Sequence, residues 1–190
     1  MLGVAAAEQA PPDQEHAAPP HRKTTVLADF NGPLTTSNMG WTFGAWQSDP
    51  TDATQFCRIQ VVDQPRLGTS GSSLRLDYDV DSLNPAYNGL WVKVPGVSLD
   101  GFQTLSIGIK GDASRGFTTR VKLELKGEKR AASYVLTDVK PEWVQRSIPL
   151  SAFNGIETLK TVDEFVVVFD DIYATSKTGT IYVDDIFLEE

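Results

Sequence analysis

The amino-acid sequence predicts an all-β domain, an antiparallel sandwich of two sheets with jelly-roll connections. Short segments alternate apolar and polar residues, and turn-forming Gly, Pro, Asn and Asp residues separate them. No segment sustains a helical apolar period beyond about two turns. About ten short strands in a single domain are typical of a jelly-roll sandwich.

The alternation places ten strands along the chain. They span residues 24–30, 58–62, 73–80, 89–94, 104–110, 119–126, 132–137, 144–150, 164–169 and 179–188. In the third strand, Leu74, Leu76 and Tyr78 share the face that we expect in the core. Asp77 and Asp79 then point outward. Residues 150–159 are predicted to hold a short helix.

The first 23 residues are predicted to lie outside the folded domain, which spans 24–190. Residues 1–8 resemble the end of a secretory signal peptide, since Ala5 and Ala7 fit the small-residue cleavage pattern. Residues 8–23 are rich in Pro, Ala, Glu and Gln, which predicts a disordered linker. We therefore expect a secreted or periplasmic protein. The single cysteine, Cys57, permits no intrachain disulfide and is expected to be buried.

The charge balance narrows the classes of partner. The chain has 17 Lys and Arg residues against 25 Asp and Glu residues, a formal net charge of -8. A negative field repels phosphate backbones, so nucleic acid is not an expected partner. No apolar run approaches the roughly 20 residues of a membrane-spanning helix, and no membrane insertion is expected.

Few residues of the predicted domain could perform catalysis. The two histidines, His16 and His21, both lie in the predicted tail, so the domain lacks an imidazole base. Carboxylate pairs at 170–171 and 184–185 leave a carboxylate-only glycosidase as the weakest alternative. Because neighbours in a strand point to opposite faces, neither pair can flank one bond by itself. We expect a non-catalytic protein.

One strand carries an aromatic side chain on its predicted outer side. If Leu90 and Val92 point into the core, Trp91 points outward, where either a covering loop or a ligand would account for it. Sugar binding combines aromatic platforms with charged hydrogen-bonding groups. The candidate ligand-binding residues are Trp46, Asp77, Asp79, Tyr87, Trp91, Lys93, Arg120 and Glu124. The predicted ligand surface is thus an acidic sheet face that bears aromatic residues.

A cation site is predicted where the chain begins and ends its sandwich. Asp29 and Asn31 close the first strand and Asp184 lies in the last one. First and last strands of jelly rolls commonly lie side by side, which would bring together the oxygen ligands that Ca²⁺ prefers. Alternatively, Asp29 and Asn31 are turn residues that lead into the Gly-Pro at 32–33.

Four segments resemble galactose-binding-like jelly-roll domains. They read VLADFN at 26–31, SLRLDY at 73–78, WVQRSIPL at 143–150 and GTIYVDDI at 179–186. The most similar families are carbohydrate-binding module family 11 and the complex I intermediate-associated protein 30 domains. The resemblance implies a concave sheet that binds a polysaccharide or oligosaccharide, and a structural calcium near the first and last strands. It equally permits a protein-interaction or assembly-factor module, since fold does not fix function.

Overall fold

Eleven strands build the described part of the chain, residues 23–31 and 41–190, in this computed structural model. They are β1 (Thr24–Ala28), β2 (Phe43–Gln47), β3 (Phe56–Val62), β4 (Ser73–Asp79), β5 (Tyr87–Ser98), β6 (Thr104–Gly111), β7 (Arg120–Gly127), β8 (Arg130–Thr137), β9 (Val144–Pro149), β10 (Thr161–Asp170) and β11 (Thr178–Glu189). The described residues contain no helix with the length and apolar character of a membrane span.

The strands form two antiparallel sheets, so the predicted all-β sandwich is confirmed. One sheet has six strands in the order β3-β4-β11-β6-β9, with β1 also paired to β11. The other has five strands in the order β2-β5-β10-β7-β8. Strands that follow each other in sequence often belong to different sheets; β4 and β5 are one example.

The core lies between the sheets and is built from the predicted inward faces. Leu74, Leu76 and Tyr78 of β4 are buried, and alternate residues of β7 are buried on the inner side of the other sheet. The Tyr78 and Phe169 rings stack across the two sheets with centroids 4.0 Å apart. Aromatic stacking and apolar burial therefore fix how the sheets face each other.

Strand β11 changes partners near its middle. Its first half pairs with β4 and its second half with β1. The register against β6 shifts between Asp184 and Phe187, and Asp185 has φ 43° in this irregular segment. A bulge of this kind bends and twists a strand. The pairing confirms that the first and last strands lie side by side.

The sequence missed one strand and overstated a helix. Strand β2 lies between the predicted strands at 24–30 and 58–62, in a stretch of which residues 32–40 lie outside the described residues. Two single turns of 3-10 helix, Leu150–Ala152 and Ile156–Thr158, replace the short helix predicted at 150–159. The predicted tail also lies outside the described residues, except for Lys23. Cys57 is buried as expected.

Candidate functional site

The outer surface of the five-stranded sheet carries three aromatic side chains, and we call it the aromatic face. Trp46 comes from β2, and Tyr87 and Trp91 come from β5. Trp91 is half-buried between the fully buried Leu90 and Val92, so its predicted outward orientation is confirmed. The period of two that buries alternate residues of β5 presents Trp91 on the opposite side.

The Trp91 indole packs over a glycine of the neighbouring strand. Gly44 of β2 pairs directly with Trp91, and a Cβ atom built on Gly44 would lie 2.6 Å from Cζ2 of the indole. Such a distance is far below van der Waals contact. The indole therefore occupies the space that any other residue at position 44 would fill.

We expect Gly44→Ala to lower the free energy of unfolding by about 1–3 kcal/mol, because the added methyl group must displace the indole. Tryptophan fluorescence would report the displacement of the indole, and urea unfolding would report the loss of stability. The matched test is the double variant with Trp91→Ala, which removes the clashing ring. An equal destabilisation by Gly44→Ala in both backgrounds would show that the indole is not what the methyl group meets.

Trp46 and Tyr87 form the second part of the aromatic face. Their rings meet edge to face with centroids 5.8 Å apart. The Nε1 atom of Trp46 is buried and has no hydrogen-bond partner. The Nζ atom of Lys126 lies 6.0 Å from the Trp46 ring centroid, within the range of a cation–π contact. The ring of Trp46 thus links β2 to β7.

A row of alternating charges crosses the centre of the aromatic face. It runs in the order Lys93, Glu164, Lys126, Glu124, Lys122 and Asp170. Lys93 pairs with Glu164, while the Nζ atoms of Lys126 and Lys122 lie 3.2 and 3.1 Å from the Glu124 carboxylate. Three cations thus match three carboxylates, so the predicted acidic character of this surface is wrong.

The carboxylates of this row are held in place by their neighbours. The side chains of Glu124, Glu164 and Asp170 are only 16%, 17% and 14% exposed. The sequence identified Lys93, Glu124 and Arg120, which begins β7 on the same face as Glu124, but missed Lys122, Lys126, Glu164 and Asp170. The alternation in β10 does not identify Glu164 and Asp170 as outward residues. Val166 and Val168 also lie on the outer side of this strand, yet they are as apolar as its inward residues.

Asp77 and Asp79 do not join this surface. They lie on the outer side of β4 in the six-stranded sheet, so the prediction that they sit beside Trp91 is wrong. Asp77 accepts hydrogen bonds from Arg75 at 3.1 Å and from Thr180 at 2.7 Å. Asp79 accepts the backbone amide of Asp81 at 2.8 Å. Asp77 therefore stabilises the pairing of β4 with β11, and Asp79 stabilises the turn that follows β4.

The predicted cation ligands meet only in part. Asp184 is 3% exposed; burial, together with the charges of Asp185 and Asp29, raises its pKa to about 7. Asn31 instead uses its side-chain oxygen to accept the backbone amide of Ser72 at 2.7 Å. Among residues 23–31 and 41–190, no three His, Cys, Asp or Glu side chains form a metal-binding group. Because Ca²⁺ also binds amide and backbone carbonyl oxygens, calcium at this place stays a prediction.

Comparison with known proteins identifies the fold. The sequence matches no family model and no curated protein. Among solved structures, the family 11 carbohydrate-binding module of a cellulosomal cellulase of Clostridium thermocellum superposes with a TM-score of 0.61 at 18% identity, covering 87% of this chain and 94% of that chain. A second structure, a family 11 module from the same organism in complex with a β-1,3-1,4-mixed-linked tetrasaccharide, superposes with a TM-score of 0.61 at 19% identity. That match covers 87% of this chain and 94% of that chain.

An enzyme also contains a domain of this shape. An exo-β-agarase matches with a TM-score of 0.61 at 12% identity, and the match covers 87% of this chain but only 25% of the enzyme. Identities this low establish the fold alone. This chain has the two-sheet β-sandwich fold that the family 11 modules also have, as its sequence motifs indicated.

Proposed function

We propose that the protein binds a polysaccharide or oligosaccharide on its aromatic face and does not cleave it. The fold is one that carbohydrate-binding modules use, and some of its other instances lie within larger enzymes. Fold alone does not assign function. The proposal therefore depends on what the aromatic face can do chemically.

The observation that carries the proposal is the half-exposed Trp91 beside the row of paired charges. Sugar rings present apolar C–H faces that stack on indoles, while their hydroxyl groups exchange hydrogen bonds with carboxylates and ammonium groups. The Lys93 Nζ atom lies 5.8 Å from the Trp91 ring centroid. An apolar platform and polar groups are thus within reach of one sugar ring.

The alternative of a carboxylate-only glycosidase finds little support in the described residues. Such an enzyme needs a carboxyl group with a raised pKa that can protonate the scissile bond. Two neighbouring carboxyl groups have a raised pKa, the half-buried Asp185 and Asp184, but Asp184 is 3% exposed and its Oδ1 atom accepts the amide of Asp185 at 2.8 Å. A substrate could not reach this group without opening the sheet.

Calorimetry against a panel of β-glucans, mannans and bacterial exopolysaccharides tests the proposal. We expect binding to at least one glycan, and we expect Trp91→Ala to weaken it about 10- to 100-fold because the stacking surface is lost. Trp143→Ala is the matched control, since Trp143 is also half-buried but packs near Tyr182 on the six-stranded sheet. Binding to no glycan, or an equal loss in both variants, would contradict the proposal.

A protein-binding role is the second candidate, and exposed apolar residues favour it. Leu83 is fully exposed and Ile172 is 81% exposed. Their two loops are joined by a hydrogen bond from the amide of Asp171 to the carbonyl of Ala86. If this end of the sandwich binds a protein, a stoichiometric partner should be lost on Leu83→Asp and Ile172→Asp and retained on Trp91→Ala.

A further inference from the structure

One end of the aromatic face opens into a depression that neither the fold nor the proposed function explains. It has a volume of about 360 Å³ and lies where strands β5, β7 and β10 meet the turn between β7 and β8. We call it the hairpin depression. Its charged lining residues are Lys93, Lys126, Glu128, Lys129, Arg130, Asp163 and Glu164.

The hairpin depression carries more positive than negative charge. Four of its lining side chains are cationic and three are carboxylates, in a protein whose net charge is -8. Two of the carboxylates have partners of their own. Glu164 pairs with Lys93 and Lys126, and Asp163 accepts the amide of Gly96 at 3.0 Å. Lys93 and Lys126 are likewise paired, with Glu164 and Glu124, so the lining cations without an ion pair to a described residue are Lys129 and Arg130, and these two would favour an anionic group.

The turn at the rim of the hairpin depression has residues that its backbone disfavours. Gly127 pairs with Arg130, so Glu128 and Lys129 are the two central residues of the turn, with φ 50° and 63°. Hairpins with positive φ at both positions prefer Asn-Gly. Other residues, such as glutamate and lysine, lower the stability of the folded protein when they adopt this conformation. Side chains kept in a strained backbone are candidates for a functional role.

The position of this turn is fixed by close packing. A Cβ atom built on Gly127 would lie 2.2 Å from the carbonyl oxygen of Thr161. The NH1 group of Arg130 donates to the carbonyl of Thr158 at 3.2 Å. The hairpin thus lies against the residues that lead into β10, which places the Lys129 position at the rim of the depression.

The hairpin depression is continuous with the aromatic platform. Lys93 and Lys126 line it, and their Nζ atoms lie 5.8 Å from the Trp91 ring centroid and 6.0 Å from the Trp46 ring centroid. A sugar stacked on either indole therefore has cationic groups beside it. A carboxylate or sulfate on that sugar, or on the next one, would enter the depression.

We infer that the hairpin depression binds the anionic group of an acidic sugar, so that the aromatic face selects an anionic polysaccharide. This inference rests on the proposed function and deepens it by naming the class of glycan. Carboxylate and sulfate share the chemistry that ammonium and guanidinium groups recognise. Both are therefore included as separate arms of the test.

The experiment measures affinity by calorimetry for three sets of oligosaccharides. They are oligogalacturonates, sulfated galactan oligosaccharides, and neutral mixed-linkage β-glucan oligosaccharides. We expect at least one acidic set to bind about 10-fold or more tightly than the neutral set in 20 mM NaCl. We expect that advantage to fall steeply in 500 mM NaCl, because salt screens exposed charges.

Two variants of the same turn separate binding from folding. Lys129→Gly removes a cation and Glu128→Asn removes an anion, while both relieve the positive φ angles. We expect both variants to raise the melting temperature by about 2–4 °C. Lys129→Gly should weaken binding of the acidic glycan about 3- to 10-fold, and Glu128→Asn should leave it unchanged or tighter.

Each other outcome has a defined meaning. Neutral glycans that bind as tightly as acidic ones, independently of salt, would overturn this inference and leave the proposed function intact. A change of affinity in the same direction for both turn variants would also overturn this inference and leave the proposed function intact. Binding to none of the three sets, nor to the wider glycan panel, would overturn the proposed function and this inference with it.

Discussion

Replacing Tyr78 with alanine is expected to lower the free energy of unfolding by about 3–5 kcal/mol. The side chain is 1% exposed and stacks on Phe169 at 4.0 Å, with 7° between the ring planes. Its hydroxyl accepts the amide of Thr118 at 2.7 Å and donates to the carbonyl of Ser176 at 3.2 Å. Alanine would leave a cavity between the sheets and an unpaired buried amide.

Tyr78→Phe separates these two contributions. The phenylalanine keeps the ring and removes the hydroxyl, so we expect a smaller loss of about 1–3 kcal/mol. Urea denaturation of the three proteins measures both differences. Equal losses for Tyr78→Phe and Tyr78→Ala would show that the stacking on Phe169 contributes nothing, and a loss below about 1 kcal/mol for alanine would contradict the packing itself.

The same phenol predicts a change of stability in alkali. Burial raises the pKa of Tyr78 to about 12 from its ordinary value of 10.0. Between these two pH values the folded state keeps a proton that the unfolded state releases. The wild-type stability should therefore fall as the pH rises above about 10, and the part of this fall that Tyr78 contributes should be absent in Tyr78→Phe.

Asp184→Asn is expected to stabilise the protein by about 3 kcal/mol at pH 8 in the presence of a chelator. Burial and the nearby Asp185 and Asp29 raise the pKa of Asp184 from its ordinary value of 3.8 to about 7. At pH 8 the folded protein contains an ionised carboxylate that its surroundings disfavour. Asparagine removes the charge and keeps an oxygen for the amide of Asp185, which lies 2.8 Å from Oδ1.

The pH dependence gives the sign of this effect. Between about pH 4 and pH 7 the folded state binds a proton at Asp184 that the unfolded state does not. The contribution of Asp184 to wild-type stability should therefore decrease as the pH rises through this range and level off above it. At pH 4 the wild type and Asp184→Asn should be nearly equal. A variant that is less stable than wild type at pH 8 in chelator would contradict this assignment.

The same pair of proteins tests calcium, which stays a prediction. If Ca²⁺ binds near Asp29 and Asp184, added calcium should raise the wild-type melting temperature above its value in chelator, because a ligand of the native state stabilises it. Asp184→Asn should respond much less. If neither protein responds to calcium, the buried carboxylate has no such ligand and is a purely structural feature of the β11 bulge.

The aromatic face could be predicted only for the strand that carries a clear alternation. In β5, the buried Leu90 and Val92 on either side of Trp91 fix which way the indole points. In β2, Gly44 and Ala45 give a weak strand signal, and the strand forms because it pairs with β5. Trp46 was identified by its residue type alone, without the strand that positions it.

The fold class and the inward or outward side of most strand residues can be predicted from local sequence pattern. These follow from a period of two, which depends only on neighbours along the chain. The β4 side chains Leu74 and Leu76 illustrate this, since both are buried as the alternation requires. Export of the protein and its relation to assembly-factor domains stay predictions.

Which outward residues share a surface depends on how the strands pair. Strands β4 and β5 are consecutive in the chain, yet β4 pairs with β3 and β11 while β5 pairs with β2 and β10. Asp77 and Trp91 therefore lie on opposite sides of the sandwich. Hydrogen-bonded pairing between distant segments sets these positions, and the alternation within one strand carries no information about its partners.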